Sequence, residues 1–120
     1  AKLYFNYSSS KLVEIFADFT IRGITISAPG FYGPQGRVLR LPLSDPKLND
    51  KIVDFEYKGR KITNFEMESS AINGLSRLLG HDSLTICAII ANRVIKDATK
   101  DYRPAISLLI QKTLDKLATI

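Results

Sequence analysis

The feature that most constrains the fold is a change of hydrophobic period at Ser69. Before it, residues 60–65 form a short run with β-branched and aromatic side chains, which is typical of a strand. After it, apolar residues recur at helical spacing until Gly80, a residue suited to a helix C-terminus. Residues 84–91 are then continuously apolar, as in a strand covered on both faces. This succession predicts an α/β fold whose sheet carries a site at its carboxyl ends.

The rest of the chain continues the alternation of strands and helices. The other predicted elements are a strand at 3–5, a helix capped within 8–10, a strand at 24–27, a hairpin joining 52–57 to 60–65, and a helix opened by Pro104. The hairpin turn would be Lys58-Gly59. No internal repeat or low-complexity segment interrupts the pattern, so a single domain is expected.

Composition limits the class of protein. The chain has 120 residues, of which 45% are hydrophobic and 24% charged, as in an ordinary soluble domain of modest core. It contains no apolar run of membrane-spanning length and no signal peptide, so no membrane association is expected. The single cysteine, Cys87, excludes an internal disulfide and indicates a cytoplasmic location. Because Cys87 lies in an apolar run, we expect an inert core residue.

Several other chemistries find little support. The net charge of +5 comes from scattered basic residues, without the basic stripe of a nucleic-acid-binding protein. One histidine, His81, and one cysteine are too few for a zinc site without several carboxylates. The glycine-rich segment fits neither the dinucleotide-binding nor the P-loop pattern. We therefore expect no nucleic-acid partner and no metal.

Two short segments could bind a small polar ligand. In residues 64–69, Glu66 and Glu68 flank Met67 where the strand gives way to the helix, and a carboxylate can accept from both hydroxyls of a ribose diol. In residues 30–37, a glycine-rich loop carries aromatic rings, an amide and a guanidinium, which can satisfy the edge of uracil. The alternatives are acidic residues favoured by a helix dipole and an ordinary glycine-rich turn.

Three segments together resemble the nucleoside phosphorylases, and among them the uridine phosphorylases. They are residues 31–37 (FYGPQGR), 64–69 (NFEMES) and 91–93 (ANR), and their order and spacing agree as well. The resemblance begins near Gly23 and implies part of a three-layer α/β domain with a mixed sheet and flanking helices. Residues 1–120 would be its C-terminal portion, without the N-terminal part that binds phosphate.

The resemblance implies phosphorolysis of uridine to uracil and ribose 1-phosphate, with phosphate as co-substrate and no cofactor. The implied base-binding residues are Phe31, Gln35, Arg37 and Arg93, and the implied ribose-binding residues are Glu66, Met67 and Glu68. Catalysis would rest on Arg37, Glu68 and Arg93. The implied partners are a nucleoside, phosphate, and either further copies of the chain or the N-terminal segment.

Some features depart from the family and leave alternatives open. The loop reads Gly33-Pro34 where the uridine branch often has proline before glycine. Without phosphate ligands, this chain by itself is expected to be inactive. The alternatives are a truncated non-catalytic domain that binds nucleoside or assembles with a partner, and a related nucleosidase that uses water. If the site is real, Phe31, Gln35, Arg37, Met67, Glu68 and Arg93 should converge on one concavity.

Overall fold

The computed structural model describes residues 3–92 and 95–120. In chain order the elements are α1 (Ser10–Ile15), β1 (Ile24–Ser27), a 3₁₀ turn (Gly33–Gln35), α2 (Leu48–Asp54), β2 (Glu56–Tyr57), β3 (Arg60–Glu66), α3 (Ser69–Leu78), β4 (Ala91–Asn92), β5 (Asp97–Ala98) and α4 (Arg103–Leu117). Helices and strands are mixed along the chain, which agrees with the predicted α/β class.

A small mixed sheet lies at the centre of the described chain, with strand order β1-β3-β2. Strands β1 and β3 run parallel, and their last pair is Ser27 with Glu66. Strand β2 runs antiparallel to β3 and is joined to it by a two-residue turn. A separate antiparallel ladder pairs β4 with β5.

The Lys58-Gly59 hairpin turn is confirmed, but the strand that leads into it is shorter than predicted. Both turn residues have positive φ, 51° and 73°, as a turn matching the right-handed strand twist requires. Residues 52–54 belong to α2 instead of a strand, so that part of the prediction was wrong. A turn in which the Asp45 side chain accepts from the Lys47 N–H at 3.0 Å precedes α2, and Asp45 also ion-pairs with Lys51 of the helix at 2.6 Å, so local contacts favour a helix over a strand here.

Four predicted helix boundaries are confirmed. Ser9 caps α1, with its Oγ accepting from the Leu12 N–H at 3.4 Å. Helix α3 begins directly after Glu68, and Gly80, at φ 76°, lies in the left-handed conformation just past its end. Pro104 lies in the first turn of α4.

Two predicted strands are not formed. Residues 3–5 are irregular, and so are residues 84–90, although neither segment is helical. A strand buried on both faces requires paired neighbours and covering layers, and the sheet of the described chain supplies too few of either. Cys87 is accordingly exposed, so its assignment to the core was wrong.

The chain leaves much apolar surface uncovered. Its accessible surface is 9524 Å², against about 6,500 Å² for a compact protein of 13.4 kDa. Its radius of gyration is 15.7 Å, against about 13.6 Å for a compact domain of this length. Among the described residues, Phe16 and Ala28 are the buried hydrophobic ones, at 4% and 6% exposure. None of the described helices has the length and apolar character needed to cross a bilayer.

Candidate functional site

The two segments singled out in the sequence leave the sheet at the same edge. Loop 30–37 follows β1 and residues 66–69 follow β3, and these neighbouring strands are parallel. One residue beyond the Ser27–Glu66 pair, the Ala28 N–H donates to the Glu66 carbonyl oxygen at 3.0 Å. Ligand sites of open α/β sheets lie at this carboxyl edge. Parallel pairing therefore brings together segments separated by about thirty residues of chain.

Loop 30–37 is held by its own backbone. The N–H groups of Gln35 and Arg37 both donate to the Tyr32 carbonyl oxygen at 3.0 Å. Gly36 lies between them at φ 77°, a left-handed conformation that glycine adopts without strain. Gln35 is 3% exposed although it is polar. The loop thus has a defined conformation in which Gln35 is buried next to the half-buried Arg37.

Three of the predicted base-binding residues form one cluster. The Arg37 Nη1 donates to the Gln35 Oε1 at 2.8 Å and also to the Phe31 carbonyl oxygen. The guanidinium carbon lies 3.6 Å from the centroid of the Phe31 ring, which is within cation–π distance. Tyr32 packs edge-on against Phe31, with centroids 5.3 Å apart. An exposed aromatic ring, a half-buried guanidinium and a buried amide are therefore in contact with one another.

The Glu66 carboxylate caps helix α3. Its Oε2 accepts from the N–H groups of Glu68 at 2.8 Å and Ser69 at 2.6 Å, and its Oε1 accepts from the Ser69 Oγ at 2.5 Å. The Ser27 hydroxyl donates to it as well. Partial burial acts to raise the pKa of Glu66, but these four hydrogen bonds outweigh it and hold the pKa below its usual value. The carboxylate is ionised and its roughly four acceptor positions are occupied.

The Met67 and Glu68 side chains lie at the turn between β3 and α3, whereas the Glu68 N–H belongs to the Glu66 cap. Both side chains are exposed, Met67 by 39%. Glu68 occupies the N-cap position of α3, but its side chain makes no capping hydrogen bond. A carboxylate at a helix N-terminus is favoured by the helix dipole. Of the two predicted ribose-binding carboxylates, Glu68 is the one with acceptor capacity available.

Sequence reasoning missed the residues that support these segments. Ser27 and Ser69 hold the Glu66 carboxylate, and the Ser69 that follows it was the available signal, since serine near a helix start commonly takes part in capping. Asn49 of α2 donates to the Gly36 carbonyl oxygen at 3.0 Å. Nothing in the local pattern around Asn49 indicates this contact, because its partner lies thirteen residues earlier in the chain.

Arg93 lies outside the described residues, so its assignment to the base and to catalysis stays a prediction. The structure has two open grooves, of about 750 and 590 Å³, beside α3 and the N-terminal segment. Their linings include Tyr4, Asn6 and Leu75 in the first and Ser9, Asn73 and His81 in the second, and none of the predicted site residues. Within 3–92 and 95–120, no group of three or more histidine, cysteine or acidic side chains is placed to hold a metal ion.

One comparison with known proteins gives a match. The chain is similar to a curated protein named uridine phosphorylase from Thermococcus kodakarensis, with 32% identity over 110 residues. The match covers 89% of this chain but 39% of the relative. No protein-family model and no solved structure matches the chain. The similarity supports a nucleoside phosphorylase-like relationship.

Proposed function

We propose that this chain forms the base-and-sugar half of a uridine phosphorylase-like site. The observation that carries the proposal is the parallel β1–β3 pairing, which brings loop 30–37 and residues 66–69 to one edge of the sheet. The similarity to the Thermococcus kodakarensis uridine phosphorylase supports it independently. In the complete protein the reaction would transfer ribose from uridine to phosphate, releasing uracil.

The base end of the site suits a pyrimidine leaving group. Cleavage of the N-glycosidic bond leaves negative charge on the base, and uracil spreads this charge over O2 and O4. Donors already placed at those oxygens stabilise the transition state more than the ground state. Arg37 supplies such a donor, and the buried Gln35 holds it by accepting from its Nη1 at 2.8 Å. The half-exposed Phe31 ring offers a surface on which the pyrimidine can stack. Arg93, from the third resembling segment, would add a further cation.

The sugar end is assigned chiefly to Glu68 and Met67. The free Glu68 carboxylate can accept from both ribose hydroxyls, and its negative charge would stabilise the cationic ribose of the transition state. Met67 would pack its thioether against the sugar. Glu66 would assist indirectly, because its cap fixes the first turn of α3 and hence the position of Glu68.

We further propose that residues 1–120 are the C-terminal portion of the domain and that another polypeptide segment supplies the phosphate ligands. The uncovered surface supports this, since 9524 Å² is far more than a compact chain of this mass exposes. Several helical apolar residues lie open, among them Leu78, which is 83% exposed. Either the N-terminal segment or further copies of the chain would cover them.

The test is a phosphorolysis assay that follows uracil release from uridine. The purified chain is assayed alone and mixed with the N-terminal segment of the Thermococcus kodakarensis relative, each with and without phosphate. We expect no release by the chain alone and phosphate-dependent release on mixing. Release without phosphate would support a nucleosidase instead. Failure of the mixture to release uracil, together with failure of the chain to bind uridine, would contradict the proposal.

A further inference from the structure

A side chain of helix α2, that of Asn49, forms a hydrogen bond with loop 30–37, the proposed base-recognition loop. Asn49, in the first turn of α2, donates from its Nδ2 to the Gly36 carbonyl oxygen at 3.0 Å. The Asn49 side chain also packs directly against Gly36, since a Cβ added at Gly36 would lie 2.0 Å from the Asn49 Oδ1. Gly36 lies between Gln35 and Arg37 in the chain. The hydrogen bond therefore holds the backbone next to Arg37, which would contact the base.

The helix that carries Asn49 is itself anchored. Asp45 accepts from the Lys47 N–H at 3.0 Å, and the Leu48 N–H donates to the Asp45 carbonyl oxygen at 3.1 Å. Helix α2 also packs against β3, the central strand of the sheet. The Asn49 side chain therefore links loop 30–37 to the sheet through α2.

We propose that Asn49 is a positioning residue for pyrimidine recognition, an inference that rests on the proposed function. By holding the Gly36 carbonyl, it sets the spacing and orientation of the Gln35 amide relative to the Arg37 guanidinium. Uracil presents an oxygen at the position where cytosine presents an amino group. A guanidinium donor that Gln35 and the Asn49–Gly36 contact hold in one place therefore favours uracil, and a looser loop loses that discrimination.

The first measurement is amide hydrogen exchange in the full chain. Asn49→Asp keeps the shape of the side chain, but an ionised carboxylate cannot donate to a carbonyl oxygen. Losing one exposed hydrogen bond should speed exchange of the Gln35, Gly36 and Arg37 amides by about fivefold. The amides at the end of α3 should not change, and Asp50→Asn, at the next position of α2, is the matched control. Unchanged exchange in Asn49→Asp would overturn the inference.

The second measurement compares uridine with cytidine by ligand-observed NMR titration. We expect Asn49→Asp and Asn49→Ala to lower the ratio of uridine to cytidine affinity about fivefold, while Asp50→Asn leaves it unchanged. If the variants weaken both nucleosides equally, Asn49 has a structural role and positioning is overturned. If the wild-type chain binds no uridine, the proposed function fails, whereas the exchange result still decides whether Asn49 orders the loop.

Discussion

The Ala28 N–H donates to the Glu66 carbonyl oxygen at 3.0 Å, which continues the parallel pairing of β1 and β3 to the point where both strands end. The segment that leaves β1 then forms loop 30–37, and the segment that leaves β3 forms the first turn of α3. The bond therefore sets the relative position of the Arg37 cluster and Glu68, which would hold opposite ends of a nucleoside. The predictions below follow from this arrangement.

Replacing Arg37 should remove most of the proposed activity. In the assembled protein, Arg37→Ala is expected to lower kcat/KM for uridine by about 10²–10³-fold, because the lost donor acts on charge that develops in the transition state. Steady-state phosphorolysis measures the effect. Arg40→Ala, which removes an exposed guanidinium three residues further on, is the control and should leave the rate nearly unchanged. Equal losses in both variants would indicate a general charge effect.

Glu68 should recognise the ribose diol. Glu68→Gln is expected to weaken uridine binding by about tenfold, because a charged acceptor of two hydroxyl hydrogen bonds is lost. Affinity for 2′,3′-dideoxyuridine, which lacks both hydroxyls, should not change. Ligand-observed NMR titration of the two nucleosides gives the comparison. A similar loss for both ligands would place Glu68 elsewhere than at the diol.

Glu66 should make the chain sensitive to acid. Its folded-state pKa is held below the usual 4.5, so its contribution to stability is present above about pH 4.5 and is lost as the pH falls through the folded-state pKa. Glu66→Gln places an amide where two N–H groups need an acceptor, and should cost about 1 kcal/mol at pH 7. Urea denaturation at pH 7 and pH 3 measures both effects. The difference between wild type and variant should shrink at the lower pH.

The small core and the open helical face should respond differently to truncation. Phe16 is 4% exposed, and Phe16→Ala should cost about 3 kcal/mol in the isolated chain. Leu78→Ala, at an exposed position, should cost less than about 0.5 kcal/mol there. If another segment covers α3 in the assembled protein, Leu78→Ala should become destabilising only after assembly. Thermal unfolding before and after mixing with the N-terminal segment tests this.

The uncovered surface should make the isolated chain associate with itself. Large exposed apolar patches mark sites of interaction or aggregation, and residues 84–86 of the apolar run are only half-buried. We expect concentration-dependent oligomers in sedimentation velocity, together with binding of a hydrophobic dye. A monomer that binds no dye would argue against the proposed fragment of a larger domain.

Local patterns predicted the elements whose causes are local. The helices begin and end where Ser9, Gly80 and Pro104 indicated, because capping and backbone conformation depend on near neighbours. The apolar run at 84–91 predicted a buried strand that the structure does not form. Burial of a strand on both faces requires other elements to cover the sheet, and an apolar run does not show whether those elements are present.

The sequence by itself determined the α/β class, both ends of α3, the starts of α1 and α4, and the residue types that could bind a nucleoside. Tertiary structure decided how those residues are used. Only the β1–β3 pairing brings loop 30–37 and residues 66–69 to one edge of the sheet. Only the occupied acceptors of Glu66 distinguish it from Glu68. Only the contact with Gly36 gives Asn49 its proposed role. Each is a contact whose partner is set by folding, and hydrogen-bond geometry at about 3 Å cannot be inferred from the order of residues.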